Sequence, residues 1–189
     1  HNLAVLYNSQ GKTNQAEKHF IKAIKFDPYK SKSYTNYAIL LAEQDRYEAA
    51  KNHIKKAIDI DSENAQAHFN LGTVYYELDE YNKSEEYFRR AIDINGDFGG
   101  AHANLGIVLK QLNKFEEAET HFRTATEVDS KPIIAHNSWG NLLKTQGNYE
   151  EAETHFRQAL NIDSGYSPAL NNLAYLLLEH GELEEAEDI

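Results

Sequence analysis

The sequence predicts an all-α fold, a solenoid of stacked antiparallel helix pairs, on three observations. The phrase EEAETHFR, Glu116 to Arg123, returns 34 residues later as Glu150 to Arg157. The same 34-residue register runs through all 189 residues without an insertion. Within each row the apolar residues recur at helical spacing, twice, on either side of a turn signal.

The rows begin at Ser31, Ala65, Gly99, Ile133 and Ser167, which defines repeats 1–30 (partial), 31–64, 65–98, 99–132, 133–166 and 167–189 (partial) of one array spanning 1–189. The first row starts at row position 5 with His1, and the last stops at position 23 with Ile189. There is no Met, including at position 1, so the chain reads as a piece of a longer protein.

The first helix of each row is carried by positions 4, 7, 8 and 11, an i, i+3, i+4, i+7 stripe. Position 7 holds Leu3, Tyr37, Leu71, Leu105, Trp139 and Leu173, and position 11 holds Tyr7, Leu41, Tyr75, Leu109, Leu143 and Leu177. Position 8 is small throughout: Ala4, Ala38, Gly72, Gly106, Gly140, Ala174. The turn follows at position 15, with Gly11, Asp45, Asp79, Asn113, Gly147 and Gly181, residue types that tolerate the left-handed conformation ending a helix. The second helix uses positions 17, 20, 24, 27 and 28. Position 20 is Ala16, Ala50, Ser84, Ala118, Ala152 and Ala186; position 24 is Phe20, Ile54, Phe88, Phe122 and Phe156; position 27 is alanine from Ala23 to Ala159. The glutamate pairs Glu116-Glu117, Glu150-Glu151 and Glu184-Glu185 open second helices, where carboxylates favour the positive helix end. Small residues at 8 and 20 let the two helices approach closely. One pair cannot bury both stripes, so the pairs stack.

Composition narrows the function. No apolar run approaches the ~20 residues of a membrane helix, so membrane insertion is not expected. Cys is absent, which removes disulfides and thiolate metal sites. The formal net charge is −11 with no basic cluster, so nucleic acid is not the expected partner. No phosphate loop, nucleophile elbow or H-E-x-x-H occurs; no catalytic residue, metal or cofactor is assigned, and the chain is not expected to be an enzyme. Nine histidines are present, among them His68, His102 and His136 at position 4 and His19, His53, His121 and His155 at position 23. No helix carries an H-x-x-x-H pair, so they read as packing or surface residues. No basic and apolar stretch of signal-peptide type opens the sequence, so a signal peptide is not expected; the sequence leaves the compartment open, with the cytoplasm favoured.

The row Ala65 to Phe98, AQAHFNLGTVYYELDEYNKSEEYFRRAIDINGDF, resembles the tetratricopeptide repeat at Leu71-Gly72, Tyr75, Tyr81, Phe88 and Ala91. It departs mildly: the proline near the repeat end occurs only at Pro28, and position 4 is often His. The resemblance implies a right-handed superhelix in which positions 2, 6, 9 and 13, with 5 and 12 beside them, line the inner, concave surface. That face is not a charged solvated one. Position 6 is Asn2, Asn36, Asn70, Asn104, Ser138 and Asn172. Lys32, Lys110 and Lys144 are balanced there by Glu43, Glu77 and Glu179, so the acidic excess lies elsewhere.

A side-chain amide offers a donor and an acceptor and can pair with an extended peptide backbone. The expected function is therefore a protein-interaction scaffold holding a peptide or partner segment by an asparagine ladder. The candidate residues are Asn36, Asn70, Asn104 and Asn172, with Phe69, Tyr76, Lys110, Asn141, Lys144 and Tyr175 setting preference. This is similar to the ladder of O-linked N-acetylglucosamine transferases, through AHANLG at Ala101 and ALNNLA at Ala169, with a break at Ser138. The carboxylate clamp of heat-shock co-chaperones is not expected, because position 5 never holds Lys and position 6 never Arg. Two alternatives stand beside the scaffold. One is self-assembly into homo-oligomers through array ends where Leu177, Leu183 and Ala186 lack a covering row; the other is a substrate-recruiting arm of a larger enzyme.

Overall fold

The computed structural model describes residues 1–183 and 186. Every regular element among them is α-helical. They are α1 (Asn2–Ser9), α2 (Thr13–Phe26), α3 (Ser31–Ala42), α4 (Tyr47–Ile60), α5 (Ala65–Glu77), α6 (Tyr81–Ile94), α7 (Gly99–Gln111), α8 (Phe115–Val128), α9 (Ile133–Thr145), α10 (Tyr149–Ile162) and α11 (Ser167–His180). The expected glutamate opening at Glu184-Glu185 lies outside the described residues.

The turn inside each pair forms because position 15 enters the left-handed region in all six rows. Gly11, Gly147 and Gly181 have φ of 68°, 82° and 83°, and Asp45, Asp79 and Asn113 have 58°, 57° and 59°. The next N–H then reaches back to the carbonyl at position 11, as in Lys12 to Tyr7 (2.9 Å), Glu80 to Tyr75 (2.9 Å) and Glu182 to Leu177 (3.0 Å). This 6→1 bond satisfies a carbonyl that the ending helix leaves open. The aspartates add a strut, since the Tyr47 hydroxyl donates to Asp45 (2.9 Å) and the Tyr81 hydroxyl to Asp79 (2.6 Å). Phe115 occupies the equivalent place behind Asn113, so Asn113 is the clean position to test. Asn113→Val is expected to cost about 1–2 kcal/mol, because a β-branched side chain is forced to positive φ. Asn113→Gly should stay within about 0.5 kcal/mol of the parent, and urea midpoints at equal m-values would check both.

Contacts divide the chain into two compact units, His1–Gly96 and Asp97–Ile189. In the first, α1–α2, α3–α4 and α5–α6 form pairs, and α2 also packs on α3 and α4 on α5. Phe20, Tyr37, Leu41, Ile54, Leu71 and Tyr75 make one buried core there. In the second unit, α7–α8 and α9–α10 pair in the same way, α8 packs on α9, and α11 closes on α9 and α10. Leu143, Phe156, Leu173, Leu176 and Leu177 form a core.

The small columns are contact points. Ala16, Ala50, Ser84, Ala118 and Ala152 are fully buried, and the Ser84 hydroxyl donates to the Gly72 carbonyl across the pair (2.8 Å). A Cβ on Gly72, Gly106 or Gly140 would lie 2.8, 2.6 and 2.6 Å from the ring of Phe88, Phe122 and Phe156 respectively. One expectation needs correcting. Leu177 is covered, at 1% exposure, by the core of its own unit; Leu183 is the open residue at 59%. Among the described residues no helix is long and apolar enough to cross a membrane.

Candidate functional site

Apart from the exposed Asn2, the amide column is half-buried, on the side of each first helix away from the packed stripe. In the first unit α3 packs beside α5, and these helices carry Asn36 and Asn70. Asn36 Nδ2 lies 3.4 Å from the His1 ring nitrogen. Asn70 Oδ1 accepts from Gln66 one turn earlier (2.9 Å), while its Nδ2 is buried with no partner among the described residues. Phe69 leans on Phe88 at a ring separation of 5.5 Å, so part of its ring serves the core. Tyr76 packs on Tyr81 at 5.6 Å.

In the second unit the first helices α7, α9 and α11 lie side by side and bring together Asn104, Lys110, Asn141, Lys144, Asn172 and Tyr175. Asn104 is half-buried and makes no side-chain hydrogen bond among the described residues. Where the amide column is interrupted at Ser138, the preceding residue carries an amide. Asn137 is buried at 8% exposure, and its Oδ1 accepts from Asn172 Nδ2 at 2.9 Å. Asn141 donates to the Asn137 carbonyl (3.2 Å). Asn137 was legible as an amide one column early, in a row with Asn141 at position 9.

The cations of this face are placed by burial and an aromatic ring. Lys144 Nζ sits 4.7 Å from the centroid of Tyr175, which is 55% exposed. The Tyr175 hydroxyl donates to Glu179, which raises its pKa above the usual tyrosine range. Lys110 is half-buried; burial, and then the neighbouring Lys144 cation, hold its ammonium below the ordinary lysine pKa. Neither lysine has an ion-pair partner among the described residues.

The histidines are paired within rows, which comparison along single columns does not reveal. His102 and His121 approach at Nδ1–Nδ1 2.9 Å, and His136 and His155 at 3.1 Å. Rows two and three use the same contact, Tyr34 with His53 and His68 with Tyr87, at ring separations of 6.1 and 6.0 Å. Positions 4 and 23 thus form a ring pair that ties the two helices of a row together. Among the described residues no group of three or more His, Asp or Glu side chains could hold a metal ion.

Models of the tetratricopeptide repeat match residues 34–97 and 63–131, residues 143–189 and residues 1–26. No curated protein matches the chain. Among solved structures, PilF of Pseudomonas aeruginosa is 21% identical, covering 99% of this chain and 85% of that one, with a TM-score of 0.85. YrrB, described as a repeat protein of this kind with an unusual peptide-binding site, is 27% identical over 88% of this chain and 86% of its own, with a TM-score of 0.66. PilW, a type IV pilus biogenesis factor, is 26% identical over 82% and 72%, with a TM-score of 0.75.

Proposed function

We propose, from the premise that this chain belongs to the tetratricopeptide repeat family, that it is a protein-interaction scaffold whose amide-bearing inner face holds an extended peptide or partner segment. The observation that carries this reading is Asn70. Its Nδ2 is buried and has no acceptor among the described residues, while Gln66 donates to its Oδ1. A buried donor left unsatisfied costs about 1–3 kcal/mol, and a backbone carbonyl laid along the face would relieve it. Asn104, whose side chain makes no hydrogen bond among the described residues, offers a second such contact. In the row of Ser138, Asn137 and Asn141 keep amides on the same helix, so the break does not leave the track without polar groups. YrrB, with its peptide-binding site, supports the reading by similarity. Phe69, Tyr76 and Tyr175 supply the flanking aromatic area that would set side-chain preference.

The test is a peptide-display selection on the chain, followed by affinity measurement with the double variant Asn70→Ala/Asn104→Ala. Each amide contributes about 1 kcal/mol net, so the selected peptide should lose about 30-fold in affinity while helicity by circular dichroism is kept. An unchanged dissociation constant removes the ladder.

A further inference from the structure

We propose that the inner face of the Asp97–Ile189 unit selects an acidic segment, seating an Asp or Glu carboxylate of the bound partner between Lys110 and Lys144. This rests on the peptide-binding reading above and adds the partner's chemistry to it.

The first ground is how cations are treated elsewhere in the chain. All five arginines are ion-paired: Arg46 with Glu17, Arg89 with Glu85, Arg90 with Glu63, Arg123 with Glu119 and Arg157 with Glu153. Lys51, Lys56 and Lys83 also meet carboxylates. With 30 acidic residues against 19 basic ones, a carboxylate is the easiest partner for this chain to provide. Lys110 and Lys144 are given none among the described residues; other lysines without one, such as Lys12, Lys32 and Lys131, are exposed, whereas these two are half-buried. They lie one repeat apart at the same row position, on α7 and α9, which pack side by side.

The second ground is that the two cations are held and not merely exposed. Lys110 is half-buried, an unusual place for an ammonium without a counter-charge. Lys144 is drawn over the Tyr175 ring at 4.7 Å, which fixes its head on the face instead of leaving it to swing into solvent. The carboxylate of this face, Glu179, is engaged by the Tyr175 hydroxyl. Burial and the Lys144 charge both disfavour the Lys110 cation, and an incoming carboxylate would reverse that penalty. Asn104 and Asn141, half-buried on the same two helices, sit within one to two turns of the lysines and can hold the backbone on either side of the acidic residue. In a chain of net charge −11, such an isolated positive spot gives charge complementarity to one stretch of a partner.

The experiment uses four pools of otherwise random dodecapeptides, fixed centrally as Glu-Glu, Gln-Gln, Lys-Lys or phosphoserine-Gln, probed with the whole labelled chain. The Glu-Glu pool should bind about tenfold more tightly than the Gln-Gln pool at low salt, with the difference shrinking as salt rises. Lys110→Gln/Lys144→Gln should bring the two pools to parity. The single variant Lys110→Met should weaken Glu-Glu binding without lowering, and even while raising, the thermal midpoint of the free chain, since it removes an unpaired half-buried charge. A folding defect would lower that midpoint and all pools together. Equal binding of Glu-Glu and Gln-Gln by the parent chain overturns the acidic preference and leaves peptide binding standing. A tenfold preference for phosphoserine over glutamate overturns the carboxylate assignment, and binding of no pool overturns both readings.

Discussion

Phe122→Ala is expected to remove about 3–5 kcal/mol of stability from the Asp97–Ile189 unit, the range for deleting an aromatic side chain from a close-packed core. Phe122 is 0% exposed, and its ring fills the space that the missing Cβ of Gly106 leaves. Removing the ring therefore opens a cavity between the two helices of a pair at their closest approach, where neither backbone can easily follow. Urea denaturation should show it as a lower midpoint, with a separate transition if the array loses cooperativity. The reciprocal change shows that the fit is steric. Gly106→Ala gains about 1 kcal/mol in helix propensity, yet its Cβ would stand 2.6 Å from the Phe122 ring. Overpacking of that kind costs about 1–3 kcal/mol, so the net effect is destabilising. Row two already contains the compensated version, Ala38 with Ile54. Gly106→Ala/Phe122→Ile should accordingly be less destabilised than the two single losses added, by about 1 kcal/mol or more. Strict additivity would mean that the two columns do not meet as described.

That contact illustrates which parts of the molecule were readable before any coordinates. Each helix pair, its turn at position 15 and its small-to-large contact come from residues whose role is set by local geometry. The left-handed turn admits Gly, Asn and Asp, and those are the types found at all six places. A close helix approach needs a missing side chain, and Gly106 has none. The ring pairs were not readable, because they join position 4 to position 23 of one row, while periodicity compares one position across rows. His102 and His121 look like two separate columns until the helices are folded together. The candidate face was readable in composition but not in its bonding state. Asn36 meets His1 and Asn172 meets Asn137, whereas Asn70 and Asn104 keep unused capacity. A column of identical amides gives no hint of that difference, since it depends on what each neighbouring row contributes. Leu177 failed for the same reason. The lack of a covering row after it suggested an open end, but α11 turns it into the core with Leu143 and Leu173.

The ring pairs also set how the chain responds to acid. The His155 ring is packed against His136 at 3.1 Å and stacked on Trp139 at 4.2 Å, with the Arg123 guanidinium 6.0 Å from that same indole. Among the described residues the groups in contact with it are thus a second histidine and an indole. Burial, and then the charge of His136, push His155 down to about 4, and burial lowers His136 as well. The first proton taken up by the pair is opposed by desolvation alone, and the second meets a cation in contact. In the unfolded chain both rings take protons near 6.5. The native state therefore binds fewer protons than the unfolded state between pH 6.5 and 4. The stability that the neutral pair contributes is complete above pH 6.5, falls away through that window and changes little below it. With His155 part-exposed, its share is about 2–3 kcal/mol. His53, lowered by burial and by Arg46, adds in the same direction. A separate loss follows at lower pH, when Glu17, held below the carboxylate range by hydrogen bonds from Tyr37 and Arg46, is protonated. Tyr87 stands at the corresponding position of row three, so His155→Tyr is a substitution the repeat already accommodates. Urea midpoints measured from pH 7.5 to 4 should drop less steeply for that variant than for the parent, by the about 2–3 kcal/mol assigned to His155. If both chains lose stability at the same rate across the window, the buried neutral pair is not what makes the fold acid-sensitive.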